Sequence, residues 1–147
     1  MTGFPYYQPT AIEALNRQAV TLLKLFAERG YAREEPSILQ PASLFLDRSG
    51  EEIRRRTFTL TDPAGRDLAL RPDLTIPIAK RLVKEERALP ARIAYNGAVF
   101  RHEPQAPQNP IQFFQAGIEL FGERDRTKGD AEILTLAIEA VRAAGLK

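Results

Sequence analysis

At 147 residues the chain has the length of one compact domain, and 44% apolar with 27% charged residues is the balance of a folded globular protein, not a disordered one. Its 21 basic and 19 acidic residues leave a formal charge of +2, too small by itself to point to nucleic acid. The absence of cysteine excludes disulfides and thiolate metal sites, and the single histidine, His102, argues against a histidine-built metal cluster, so no metal or cofactor is expected.

The opening MTGFPYYQPT has no basic, apolar leader pattern. No later stretch approaches the ~18 apolar residues of a membrane span, and the expected address is the cytoplasm. From Thr10 to Arg29 the residues Ile12, Leu15, Ala19, Leu22, Leu23 and Phe26 recur at three- and four-residue spacing, which predicts an amphipathic helix capped at Thr10 and stopped by Gly30. A short strand, Tyr31 to Glu35, follows and ends at Pro36. Pro41 to Arg48 is a short apolar segment between loop-like flanks. The basic run Arg54, Arg55 and Arg56 reads either as phosphate or RNA contacts or as a solvated edge leading into a strand at Thr57–Leu60, and the edge reading is preferred.

Asp62-Pro63-Ala64-Gly65 is a turn, so Thr57–Leu60 and Asp67–Leu70 form a predicted hairpin. Pro72 disfavours helix at Arg71, and Thr75-Ile76-Pro77 starts a helix that runs to about Arg87. Asp73 therefore sits at a helix N-terminus, a position that stabilises negative charge. Arg92 to Phe121 reads as two strands, RIAYNGAVFR and IQFFQAGIELF, joined by a turn carrying Pro104, Pro107 and Pro110. On the second strand Phe114, Ala116, Ile118 and Leu120 share one face, and Phe113, Gln115, Gly117 and Glu119 share the other. If the hairpin is symmetric, Arg101 faces Gln115, Val99 faces Gly117 and Gly97 faces Glu119, and the two glycines leave room for a small ligand on the sheet. A charged loop, Gly122 to Lys128, precedes a last helix opened by Asp130, whose inward stripe is Ile133, Leu136, Ala137, Ala140, Val141 and Ala144.

Asp73 and Glu119 supply two carboxylates, Gln115 an amide, Thr75 a hydroxyl and Arg101 a guanidinium. An α-ammonium, with three donors and a positive charge, is matched by two acids and an amide oxygen. Arg101 suits a carboxylate or phosphate oxygen. Together the five fit a free amino acid better than a sugar or a hydrophobe, although each alone has a bland reading as a cap or a sheet-face ion pair.

FRHE, then FFQAGIELFG, preceded by LRPDLT, resembles motif 2 and the first substrate stretch of the histidyl type of class II aminoacyl-tRNA synthetases. The resemblance is equally close to that family's non-aminoacylating relatives, the regulatory subunits of ATP phosphoribosyltransferase. It implies an α+β fold with a mainly antiparallel sheet flanked by helices, here the N-terminal portion of the core in a single domain over residues 1–147. It also implies histidine contacts at Asp73, Thr75, Arg101, Gln115 and Glu119, and a homodimer formed through the N-terminal helix. Asp73 stands where the synthetases usually carry glutamate, which withdraws the carboxylate by one methylene. The synthetases' motif 2 loop carries a lysine and arginines for ATP, whereas Pro104 to Ile111 here, PQAPQNPI, holds no cation. Losing such charges costs several kcal/mol of transition-state stabilisation, on the order of what one preorganised contact supplies. The resemblance therefore implies a regulatory subunit with no catalysis of its own, partnered with a short-form ATP phosphoribosyltransferase and sensing L-histidine. The alternatives are the N-terminal fragment of a histidyl-tRNA synthetase and a general amino-acid-binding domain. The family's second histidine stretch, motif 3 and anticodon-binding domain lie beyond the matched half.

Overall fold

A computed structural model describes residues 5–47, 50–103, 105–106 and 108–146. In chain order its elements are α1 (Pro9–Glu28), β1 (Ala32–Arg33), β2 (Leu39–Pro41), α2 (Ser43–Leu46), α3 (Glu51–Arg56), β3 (Thr59–Thr61), β4 (Asp67–Leu70), α4 (Thr75–Lys84), β5 (Ala91–Phe100), β6 (Gln112–Phe121) and α5 (Arg126–Ala143). They form two three-stranded sheets, one ordered β1-β5-β6 and the other β2-β4-β3. The first is mixed, with β1 parallel to β5, and the second is antiparallel throughout. This mixed α/β architecture, with helices beside largely antiparallel strands, matches the expected fold class. Among the described residues no helix is long and apolar enough to cross a membrane.

The chain divides into two compact units. The first comprises Glu35–Lys84 and Gly97–Gln115, with residues 5–6; the second comprises Tyr7–Glu34, Glu85–Asn96 and Ala116–Lys147. In the first unit Ala42, Phe45 and Ala69 are buried and Leu44, Leu46 and Ile76 pack against them. Burying Phe45 alone is worth about 1.5–3 kcal/mol, so α2 is held by what it covers and not by its own four residues. β3 pairs with β4 in a register of Thr59 with Ala69 and Thr61 with Asp67, and the turn is tied by Asp62 Oδ1, which accepts from the amides of Ala64 and Arg66. These bonds hold the Asp62 carboxyl below its ordinary pKa. The predicted hairpin is therefore present, but its first strand begins at Thr59.

The arginine run does not form the strand edge that its position suggested. It forms the second half of α3, where Arg55 pairs with Glu51, Arg56 with Glu52, and Arg54 Nε donates to the Leu46 carbonyl at 2.8 Å. Four-residue spacing between acids and arginines favours this helix, and the acids lie at its positive end. Arg56 also pairs with Glu103, and both contacts keep its guanidinium charged.

In the second unit α1 and α5 cover a core of Phe26, Tyr31, Ala94 and Leu136, with Leu22, Leu23, Leu25, Ile118 and Ala140 around it. The cap of α1 is Gln8, with Pro9 in the first turn, rather than Thr10; proline costs nothing where the amide is unpaired anyway. Gly30 ends the helix at φ +81, and the Tyr31 amide then donates to Phe26 O at 3.0 Å. The strand expected over Tyr31–Glu35 is only two residues long. At the other end of the chain α5 starts at Arg126, four residues before Asp130, because Asp125 caps it by accepting from the Lys128 amide at 3.1 Å. Ala137 and Val141, expected on its inward stripe, are exposed.

Tyr31, Arg92 and Glu132 are joined in the second unit. Arg92 grips Glu132 with two bonds of 2.7 and 2.8 Å, and the Tyr31 hydroxyl donates to Glu132 at 2.8 Å. Arg92 and Tyr31 hold the Glu132 carboxyl down to about 2, while burial and the same carboxylate push the Tyr31 hydroxyl up.

Candidate functional site

The first unit carries four of the five predicted ligand residues, Asp73, Thr75, Arg101 and Gln115. Its central feature, however, is a residue that the sequence reading passed over. Arg71 is only 1% exposed, yet it is charged. Its Nε donates to the Ala98 carbonyl at 2.7 Å, its Nη1 donates to the Pro36 carbonyl, and Glu35 offsets part of the burial that lowers its pKa. The backbone joins in: Phe100 N donates to Arg71 O and Arg71 N to Ile38 O, both at 3.0 Å. The loop preceding α4 is thereby fixed to the end of β5 and to the segment before β2.

That fixture positions the next residues. Asp73 Oδ1 accepts from the Ile76 amide at 3.0 Å, so Asp73 caps α4. One carboxylate oxygen is thus committed to structure, consistent with the bland reading of this acid, and the second oxygen is the atom left for a ligand. Arg101 Nε donates to the Pro72 carbonyl at 2.7 Å, and its guanidinium carbon lies 5.3 Å from the centre of the Phe113 ring. Arg101 is therefore brought to the same loop as Asp73, with its outer nitrogens beyond the bond to Pro72. Gln115 Oε1 is buried and, among the described residues, has no hydrogen-bond partner. A buried acceptor left unpaired costs about 1–3 kcal/mol, which a donor from a ligand would recover.

Glu119 belongs to the second unit, where the Tyr95 hydroxyl donates to it at 3.2 Å. Tyr95 is the other residue missed in the sequence. A Cβ placed on Gly117 would lie 2.5 Å from the Tyr95 oxygen, and one on Gly97 would lie 2.5 Å from Arg71 Nη2. The two glycines do make room on the sheet, but the protein's own Arg71 and Tyr95 fill it. The symmetric register is corrected as well. Arg101 N donates to Ile111 O at 2.9 Å, so Arg101 lies beside Ile111 and not Gln115, and Tyr95 rather than Val99 covers Gly117. Val99 is fully buried. The apolar face of β6 is split: Ile118 joins the core, while Phe114 is 44% exposed.

Of the connecting turn, Pro104 and Pro107 lie outside the described residues. Among the rest, Ala106 N donates to Glu103 O at 3.0 Å and Asn109 N to Ala106 O at 2.9 Å. A cleft of about 610 Å³ lies in the other unit between Arg29, Arg92 and α5. Both of its guanidiniums face carboxylates, Arg29 that of Glu139 and Arg92 that of Glu132, so it offers no unbalanced charge for an anion.

The model of the histidyl-tRNA synthetase family matches residues 3–147. The chain belongs to the histidyl-tRNA synthetase family. Within it, the chain is 43% identical over 113 residues to the ATP phosphoribosyltransferase regulatory subunit of Mesorhizobium japonicum, covering 77% of this chain and 30% of that protein. A protein of the same name from Chelativorans is 43% identical over 117 residues, 79% of this chain and 30% of the other. Among solved structures, the ATP phosphoribosyltransferase regulatory subunit/histidyl-tRNA synthetase of Bacillus halodurans superposes with a TM-score of 0.82 at 29% identity, over 99% of this chain and 38% of that one. The histidine–tRNA ligase subunit of Alicyclobacillus acidocaldarius gives 0.82 at 27%, over 99% and 42%. The chain thus spans about a third of the length of the curated relatives that it matches.

Proposed function

We propose that the chain serves as a non-catalytic regulatory subunit of a short-form ATP phosphoribosyltransferase, in the cytoplasm, and that residues 1–147 work as one domain. The observation that carries this reading is the turn between β5 and β6. Residues 104–111 contain neither lysine nor arginine, in a family whose synthetase members place cations there for ATP. Relatives near 40% identity that bear the regulatory-subunit name support it. The proline-rich turn is the proposed partner surface, since a stiff segment loses little entropy on docking.

The proposed effector is L-histidine. Its α-ammonium would donate to Gln115 Oε1 and to the outer oxygen of Asp73, and its carboxylate would accept from Arg101, with Thr75 alongside. Glu119 remains the fifth proposed contact, by resemblance. Homodimerisation through the α1 region belongs to the same reading. Calorimetric titration with histidine tests the proposed contacts, and co-sedimentation with a short-form catalytic subunit tests the partnership. Binding of neither would overturn the proposal.

The other reading is an aminoacylating fragment. It is favoured by the retention of Arg101 together with Gln115 and Glu119, and it requires histidine-dependent exchange of pyrophosphate into ATP.

A further inference from the structure

α5 is apolar on two sides, and only one of them is used. Leu136 points into the core with Ala140 beside it. On the far side Leu134, Ile138 and Val141 are 63%, 53% and 48% exposed. Their spacing of four and then three residues makes them one continuous stripe rather than scattered surface residues. The row of side chains that runs along this stripe at four-residue steps is Asp130, Leu134, Ile138, Arg142. It begins with an acid, ends with a base and is apolar between them.

Such a row is complementary to itself when reversed. Turned end for end about a two-fold axis midway along it, Leu134 meets Ile138 of a second copy, Ile138 meets Leu134, and Asp130 and Arg142 face each other at both ends. Rows at four-residue steps are the ridges that interlock in the commonest helix packing class, at a crossing angle of about −50°. Ala137, exposed beside the row, adds a small side chain where the helix backbones approach. Asp130 already shares an ion pair of 3.5 Å with Arg126, but both side chains are largely exposed and water weakens that contact. We propose that the outer face of α5 is a docking surface for a second copy of this chain, packed antiparallel and matched in charge at each end. α5 has 18 residues, about 27 Å of helix, so the contact is at the small end of protein interfaces and the pairing is reversible.

The test uses the 147-residue chain in sedimentation velocity over roughly 10–500 µM, with circular dichroism and a thermal melt as controls for folding. Because Ile138 of each copy meets Leu134 of the other, Ile138→Glu should disrupt both apolar steps and weaken the α5 pairing at least about tenfold. Asp130→Arg and Arg142→Asp should each weaken self-association by placing like charges at both ends of the interface. Carrying both changes in one chain should restore it, and mixing the two single variants should restore a pairing through α5 that neither supports alone, association through α1 being common to all the variants. The proposal is overturned if the chain is monomeric throughout. It is equally overturned if association survives Ile138→Glu unchanged, as it would with an interface confined to α1, or if the charge exchange restores nothing.

Discussion

Replacing Gly97 by alanine is a one-carbon change with a large calculated consequence. The new Cβ would sit 2.5 Å from Arg71 Nη2, about 1 Å inside contact distance, and Arg71 is too enclosed to swing away. Overpacking of this kind costs about 1–3 kcal/mol, and moving the guanidinium also weakens its bonds to Ala98 O and Pro36 O, worth about 1.5–3 kcal/mol each for a charged donor. Against this, alanine regains about 0.5–1 kcal/mol that glycine forfeits in a strand. The expected net loss for Gly97→Ala is about 2–4 kcal/mol. In an Arg71→Met background the clash and those bonds are already gone, so the same alanine should cost less than about 1 kcal/mol. Urea unfolding of the four chains, followed by circular dichroism, measures the cycle. Costs that add within about 0.5 kcal/mol would refute the claim that Arg71 fills the space over Gly97.

Asp73 separates cap from ligand: Asp73→Ala should lower stability by about 1 kcal/mol in the same unfolding assay, because the Ile76 amide loses its acceptor. Asp73→Asn should keep most of that stability and still weaken histidine binding at least tenfold by titration calorimetry, roughly the loss of one charge-assisted bond. Gln115→Leu should be neutral or slightly stabilising without histidine, since it removes an unpaired buried oxygen, and should weaken histidine binding. Glu132 has a folded-state pKa depressed to about 2, so its contribution is fully present above about pH 4.5 and is lost as pH falls towards 2. Unfolding free energies of the wild type and Glu132→Gln, from urea titrations, should therefore differ by on the order of 1 kcal/mol at pH 6 and converge near pH 2.

The elements legible in the sequence were those with strong local signals. The α1 stripe with its Gly30 stop, the Asp62 turn and the existence of the β6 strand each depend on residues within a few positions of one another, although the burial of the β6 faces does not follow the expected alternation. Contacts made across the chain were not legible in that way. Nothing around Arg71 announces that its guanidinium will reach back to Pro36 and across to Ala98, and a glycine pair in a strand looks the same whether a ligand or a neighbouring Tyr95 fills the gap. The α3 helix was missed for a different reason: a run of three arginines draws attention to charge, while the signal lay in Glu51 and Glu52 four residues earlier. The start of α5 was misplaced because two aspartates compete as caps, and only geometry selects Asp125 over Asp130. For the candidate site, the motif brought Asp73, Arg101 and Gln115 to notice. That Asp73 spends one oxygen on α4 and that Gln115 holds an unpaired one became visible only in three dimensions.

The regulatory reading is tested most directly by the rate at which a short-form catalytic subunit forms phosphoribosyl-ATP, measured with and without the folded chain and then with added histidine. The expected result is a rate increase that saturates with the chain and is suppressed by histidine. An unchanged rate in the presence of bound, folded chain, together with histidine-dependent pyrophosphate exchange by the chain alone, would contradict it.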